Sequence, residues 1–512
     1  MNMAALALVQ TVGQTIPQST DYIRILPELV LSIFGIVVMV LDPLLNEEQS
    51  RKSLGLLALA GTGAAIVATW YMSQSPGLAF WNMVRVDGFS VFFHMLVIGV
   101  AAVVILTSYE YMKVQNLRAG EYYALILFGT VGMALMSSAV ELVLVFIALE
   151  ISSISSYILA GFRRHEAASS ESSLKYFLLG SFATGFFLYG IALMFGATGS
   201  TNIEIISANL QTEPATLLAY VAVALMFVGL GFKIAAAPFH IWTPDVYEGA
   251  PAPIVGFMST APKAAAFAVL LRIVFEINVL QIHAFKNGPG CFWLIWVSAA
   301  LSMTLGNAGA LVQSNVKRLL AYSSIAHAGY LLVAFAAAPI LGTSAAMFYS
   351  AAYAAMNVGA FAVISHLANA NERYVTLEDY EGLGKSSPLL AAMLTFFLLS
   401  LIGIPMTGGF FAKFYVFSAA IKAHLVGLTI IGVINSAVGA SYYLRIIVAM
   451  YMQESRKNVP VTPVPFGLGL ALAISVAATL YLGVLPNRLL DFTQRSAQQL
   501  VHPVTQMAPR VF

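Results

Sequence analysis

Glu150, Lys233, Lys263 and Lys413 each lie inside apolar sequence long enough to cross a bilayer, in a chain that is only 9% charged. An ionisable side chain at that depth costs about 2.5–3.5 kcal/mol on insertion scales and about 10 or more in simulations, so such residues are rare and usually functional. One carboxylate and three amines, each on a different apolar segment, can hand on a proton. The competing structural account is that they pin helices together or snorkel to an interface. His327, midway along another apolar segment, suits a relay between Lys263 and Lys413 because imidazole titrates near pH ~6.5. A hydrogen-bonded core histidine fits the same position. Ser153, Tyr157 and Ser259 stand at helical spacings from Glu150 or Lys263, which places each beside its charge. Hydroxyls there can order water or simply satisfy backbone carbonyls.

Electrostatics sets what such a file does. Burial lowers a lysine's proton affinity by about 3–5 pK units, whereas a carboxylate ~4 Å away in an effective dielectric of ~20 contributes about 4 kcal/mol towards keeping it charged. The two effects are comparable, so separation decides. With Glu150 and Lys233 in contact both stay charged; drawn apart, Lys233 passes its proton to Lys263 and onward to Lys413. Moving one charge against 100 mV takes about 2.3 kcal/mol, within what such a pair supplies.

The elements holding these groups are membrane helices. The 512 residues are 59% hydrophobic, with a mean hydropathy of +0.84, and apolar runs repeatedly exceed the roughly 20 residues that span hydrocarbon. Continuous runs such as Leu54 to Tyr71 exclude a barrel, whose strands alternate over about ten residues. The expected class is all-α and polytopic, with fourteen spans near 25–42, 53–72, 88–108, 122–139, 141–162, 173–198, 216–238, 251–275, 291–314, 318–338, 343–369, 388–420, 425–451 and 465–485. The weakest division is between spans 4 and 5, at Ser137-Ser138-Ala139.

Spans 7 and 12 carry helix breakers beside their lysines: Gly229, Gly231 and Pro238 around Lys233, and Gly403, Pro405, Gly408 and Gly409 before Lys413. Freed backbone groups are tolerated at depth only inside protein or along a water cavity, and paired broken helices point to a transport site. Ser152-Ser153-Ile154 in span 5 resembles Ser323-Ser324-Ile325 in span 10, each followed by a tyrosine, Tyr157 and Tyr330. Five spans separate them, so repeats of five helices would be inverted.

Loops after odd-numbered spans hold most of the basic residues, among them Lys52, Lys113, Arg118, Arg163, Arg164, Lys317, Lys385, Arg456 and Lys457. The opposite loops hold Arg85, Arg272, Lys286 and Lys422. The positive-inside rule then puts both termini on the non-cytoplasmic side. No Lys or Arg precedes Arg24, so no basic signal-peptide region is present and insertion is expected to rely on the spans.

Other chemistries are not signalled. A net charge of +2 without a dense basic cluster gives no nucleic-acid footprint. The lone Cys291 cannot hold an iron–sulfur cluster, which takes about four thiolates. Gly384-Lys385-Ser386 lacks the first glycine of a phosphate loop, which is Asp379 here. No zinc or dinucleotide motif occurs, so no cofactor or metal is expected in this chain. His240, Trp242, Asp245 and Glu248 form a short polar loop, read as an interfacial belt in preference to a proton port. Tyr122-Tyr123 and Tyr442-Tyr443 are read as interface anchors in preference to a quinone site. His94, His366 and His424 are given no role.

Three long segments narrow this further: GFKIAAAPFHIWTPDVYEGAPAPIVGFMSTAPKAAAF (Gly231 to Phe267), KRLLAYSSIAHAGYLL (Lys317 to Leu332) and GIPMTGGFFAKFYVF (Gly403 to Phe417). The whole chain resembles the antiporter-like membrane subunits of complex I. It is most similar to the branch called subunit 2 or N in cyanobacterial and chloroplast NAD(P)H-quinone oxidoreductases. Lysine at 413, where a sister branch has glutamate, and a stop soon after span 14 both favour that branch. The resemblance implies three N-terminal helices (1–120), inverted repeats of helices 4–8 (121–277) and 9–13 (278–453), and helix 14 with a tail (454–512). It also implies proton-transfer residues at Glu150, Lys233, Lys263 and Lys413. Plastoquinone, iron–sulfur clusters and any nucleotide would belong to partner subunits, in a thylakoid membrane. A stand-alone or Mrp-type cation/proton antiporter and a non-pumping scaffold are the rivals.

Overall fold

A computed structural model describes residues 17–46, 50–118, 120–212, 217–278, 290–337, 339–369, 372–455 and 462–501. Lys286, Arg456 and Lys457 of the charge argument lie outside the described residues. The chain is a helical bundle in which, among the described residues, twelve helices are long and apolar enough to cross a membrane. The remaining two expected positions are filled by Gly120–Ser138 (span 4) and by the interrupted pair Pro388–Ile402 and Gly408–Lys422 (span 12). Span 4 ends at Ser138 and span 5 (Leu142–Ala160) starts three residues after Ala139, close to the expected division.

Two features were not expected from the apolar pattern. A two-stranded hairpin, Gly77–Ala79 with Val84–Val86, precedes span 3 (Gly88–Val114). After span 14 (Phe466–Val484), Pro486–Val501 forms a further helix too polar to span. It docks through Thr493, which hydrogen bonds Ser344 at 2.8 Å, and Gln499, which accepts the Gly88 amide at 2.7 Å.

The two halves repeat, and backbone contacts fix their register. The Glu141 side chain accepts the Leu144 amide to cap span 5, and that of Asn315 accepts the Lys317 and Arg318 amides to cap span 10 (Val316–Phe335). Glu141 forms an antiparallel bridge with Asn202, after span 6 (Ala167–Thr198), as Asn315 does with Thr376, after span 11 (Pro339–Ala368). Both bridges have the same bonds: Leu142 N to Thr201 O (2.9 Å) and Ile203 N to Val140 O (3.0 Å), against Val316 N to Val375 O (2.8 Å) and Leu377 N to Ser314 O (2.9 Å).

Glycines agree with that register. A Cβ on Gly132 in span 4 would meet the Ala148 carbonyl and Ser152 amide at 2.6 Å. One on Gly306 in span 9 (Phe292–Leu311) would meet the Ala326 amide at 2.6 Å and the Tyr322 carbonyl at 2.9 Å. Glu150 therefore corresponds to Ser324, and Ser153 to His327. The Ser-Ser-Ile similarity in the sequence is three residues out of this alignment, nearly one helical turn, so it matched faces without matching positions. An odd number of crossings separates the two clamps, which puts them at opposite ends of the bundle.

Span 8 (Ala252–Glu276), buried along its length, is enclosed by spans 3, 4, 7 and 11. Arg272, assigned to a loop by its sequence position, is in fact fully buried in this helix. It bonds Asp87 and Glu276 and donates to the Ser137 carbonyl at 3.0 Å. Its aliphatic and aromatic neighbours mask it in a hydropathy count; its charge is tolerated because two carboxylates meet it.

Candidate functional site

Both broken helices place a lysine beside their break. Span 7 runs as a helix over Leu217–Ile234, turns through Ala235 in the left-handed region (φ 59°), and resumes as Thr243–Gly249. The unwound backbone is satisfied from span 9: Ser302 Oγ accepts the Ala237 amide and Ser298 Oγ donates to the Ala237 carbonyl, both at 2.7 Å. Trp242 Nε1 donates to the Phe232 carbonyl at 3.0 Å. In span 12 the turn needs Gly403, whose φ of 95° disfavours any side chain.

The four expected charges fall into separate surroundings. Lys233, buried, donates to Ser153 Oγ at 2.9 Å, and its ammonium lies 5.9 Å and 5.8 Å from the rings of Tyr157 and Tyr176. Glu150, one turn before Ser153, interacts with Lys233 through its charge but is not in salt-bridge contact, and its buried Oε1 has no hydrogen-bond partner. The structure thus holds this pair in its separated arrangement. Lys263 donates to Ser324 Oγ at 2.6 Å and shares a narrow cleft with Ser324, His327, Ser350 and Tyr353. Lys413 donates to Ser436 Oγ (2.8 Å) and to the carbonyls of Leu401 (3.0 Å) and Ile402 (2.8 Å). Those carbonyls end the first half of span 12, where the helix dipole favours a cation.

His327 lies within coulombic reach of both Lys263 and Lys413. Its Nδ1 is 2.7 Å from the Tyr349 hydroxyl and its Nε2 is 3.2 Å from that of Tyr443, which also bonds Ser323. Tyr330, one turn further along span 10, sets its ring 5.1 Å from the Lys413 ammonium. The structure therefore groups Glu150 with Lys233 and Lys263 with His327, and carries the polar thread to Lys413 past Tyr330.

Several roles differ from expectation. Tyr122, Tyr123, Tyr442 and Tyr443 are all buried rather than at an interface. Tyr122 bonds Ser108 at 2.9 Å and Tyr442 bonds Asn307 at 2.9 Å, so hydroxyl partners inside the bundle replace water. Trp242, expected in a belt, is buried and stacks on Tyr176 at 4.4 Å. Asp245 and Glu248 of the same loop are paired, with Lys175 and Arg318 (2.7 Å each) and with Arg318 (2.8 Å) respectively. Ser259 donates to the Gly256 carbonyl at 3.0 Å and accepts from Asn357, the structural option for that hydroxyl.

Ser436 and the lysine-binding role of Ser324 were missed. Ser436 shows no helical spacing to a charge on its own span, since its partner sits on the neighbouring one. His94 was also left without a role; it is buried, 2.8 Å from Glu28 Oε1. Cys291 is buried and free, as an inert core thiol would be.

Gly409 is the tightest point behind Lys413: a Cβ there would run into the Ser400 carbonyl, whereas one on Gly427 would meet no atom within 4 Å. Gly409→Ala is expected to cost about 1–3 kcal/mol of overpacking and to displace Lys413, lowering the Tm of the solubilised protein, with Gly427→Ala unchanged.

A profile of the family described as NADH:quinone oxidoreductase/Mrp antiporter, transmembrane, matches residues 139–439. NADH-quinone oxidoreductase subunit N 2 of Koribacter versatilis is 66% identical over 489 residues, covering 94% of this chain and 98% of that protein. Subunit N 1 of Solibacter usitatus is 48% identical, with 94% and 98% covered. A chain of respiratory complex I from Thermus thermophilus, solved with bound aureothin, superposes with a TM-score of 0.77 at 35% identity, over 91% of this chain and 98% of that one. A chain of the Mrp complex from Dietzia sp. DQ12-45-1b, 21% identical with a TM-score of 0.79 over 94% and 98%, shares the fold. The chain belongs to the NADH:quinone oxidoreductase/Mrp antiporter family of transmembrane subunits.

Proposed function

We propose that this chain is a proton-translocating subunit N of a complex I-type NADH-quinone oxidoreductase. Electrons pass through centres in partner subunits, and this chain moves protons through Glu150, Lys233, Lys263, His327 and Lys413. The observation that carries the reading is that three buried lysines, on spans 7, 8 and 12, each meet a hydroxyl and no carboxylate within ion-pair contact among the described residues. A structural lysine in a low-dielectric interior needs a paired charge; these three lack one, which suits groups that must lose and regain protons. The relatives above, subunits N of NADH-quinone oxidoreductases, support the assignment to such a complex.

The narrower expectation of plastoquinone and a thylakoid membrane draws no support from those relatives, whose names specify only a quinone. Analysis of the quinones copurifying with the complex decides it. Lys263→Met, assembled into the complex in vesicles, tests the pumping role: pumping falls by about tenfold or more per electron transferred, as loss of a full charge at depth implies. Unchanged pumping would leave the scaffold reading standing, and sodium transport by the chain on its own would favour an antiporter.

A further inference from the structure

The three lysines share a feature that no sequence spacing announces. Each donates to a serine on a different helix: Lys233 to Ser153 on span 5, Lys263 to Ser324 on span 10, and Lys413 to Ser436 on span 13 (Val426–Met452). Ser153 and Ser324 are buried and Ser436 half-buried, whereas most of the remaining buried serines in the bundle commit their hydroxyl hydrogen to a backbone carbonyl, as Ser155 does to Ile151, Ser156 to Ser152, Ser302 to Ser298 and Ser350 to Ala346. Ser153, Ser324 and Ser436 show no such bond among the described residues. The Ser153 hydroxyl instead reaches Tyr157, and that of Ser324 reaches Tyr247 and Tyr353, side-chain partners that a turning O–H can exchange.

We infer that Ser153, Ser324 and Ser436 are positioning residues that keep each lysine hydrogen-bonded in both of its protonation states. This rests on the proton-carrying role proposed above. A hydroxyl both accepts and donates. Towards an ammonium it accepts an N–H. When one N–H bond of the ammonium breaks and its proton passes to the next amine of the file, making an ammonium there, the lone pair left on nitrogen accepts the serine O–H. A carboxylate can only accept, and so holds its lysine charged; an alanine leaves a buried polar group unmet in either state.

The repeat register adds a second observation. The position of Glu150 in the first half is filled by Ser324 in the second, and it is Ser324 that meets a lysine. The groups facing each ammonium are otherwise Glu150, Tyr157 and Tyr176 at Lys233; Tyr247, Tyr353 and His327 at Lys263; and Tyr330 with His327 at Lys413. Lys413 has two carbonyl acceptors besides its serine, so it depends on the hydroxyl least.

The test uses the assembled complex in vesicles, reading protons pumped per electron against pH. Ser153→Ala and Ser324→Ala are each expected to lower the ratio about fivefold, and Ser436→Ala by about twofold. Hydrogen bonds to a charged partner are the stronger, so the alanine penalises the ammonium more, and the pH above which pumping fails moves down by about one unit. Ser153→Thr and Ser324→Thr restore the profile. If an alanine variant does not assemble, Ser→Cys, nearly isosteric and a weaker partner, is measured in its place. Pumping with an unshifted pH profile in Ser153→Ala and Ser324→Ala, while Lys263→Met abolishes it, overturns this inference alone; normal pumping by Lys263→Met overturns the proton file itself.

Discussion

Glu150→Gln is expected to cut proton pumping by about thirtyfold while leaving assembly intact. The carboxylate stands apart from Lys233 but acts on it through its charge, and Gln keeps the shape and removes that charge. A contact pair at ~4 Å in an effective dielectric of ~20 is worth about 4 kcal/mol; half of that, for a separated pair, is roughly thirtyfold in a proton equilibrium. Half-buried, with one oxygen unpartnered, Glu150 holds no helix in place, so stability should barely move. Pumping in vesicles, measured beside quinone reductase activity, separates the two; a variant that pumps normally would remove the switch from the mechanism.

Glu372→Ala is expected to act on the other axis, stability. Glu372, in the loop after span 11, is buried where four segments meet. It accepts from the Tyr111 hydroxyl at 2.8 Å and the Ala252 amide at 2.6 Å, and pairs with Lys317 and, at 3.3 Å, Arg163. Burial pushes its carboxyl up, yet Lys317 and Arg163 outweigh that and hold it below the usual carboxylate range. Removing it strands two buried cations, at a cost of about 3–5 kcal/mol. Thermal unfolding of the solubilised complex should show a lower Tm, and assembled complex should be scarcer.

The pH dependence follows from the sign of the shift. A depressed carboxyl stabilises the fold above its unfolded pKa of ~4.3, and that contribution is lost as pH falls through the lower, folded value. Between pH 5 and 8 the stabilisation should be flat, failing only in stronger acid. In Glu372→Ala this acid-sensitive part should be gone.

The fold was legible because hydropathy reports depth. Fourteen positions and both breaks could be placed from apolar run length and from Gly403, Pro405 and Pro238. Side-chain partners were not legible where they came from a different span. Arg272 read as a loop residue because, of its two carboxylates, Asp87 is brought to it only by folding, while Glu276, one turn along the same helix, marked the charged end of the span. Tyr442 and Tyr443 read as surface anchors because their acceptors, Asn307, Ser323 and His327, lie on spans 9 and 10. The ionisable residues of the site were visible because charge is conspicuous in apolar sequence. Ser324 and Ser436 were not, since a serine on a membrane helix is ordinarily bonded to its own backbone.

The matched clamps at Glu141 and Asn315 carry an implication for energised membranes. Because the two five-helix units run in opposite directions, a voltage across the bilayer drives a positive charge deeper along one unit and outward along its counterpart. Equivalent hops in the two units then respond with opposite sign to the same potential, about 2.3 kcal/mol per charge for a full crossing at 100 mV. The work for one charge to cross the whole bilayer is unchanged, so the inverted pair divides the electrical work between its two units without reducing it.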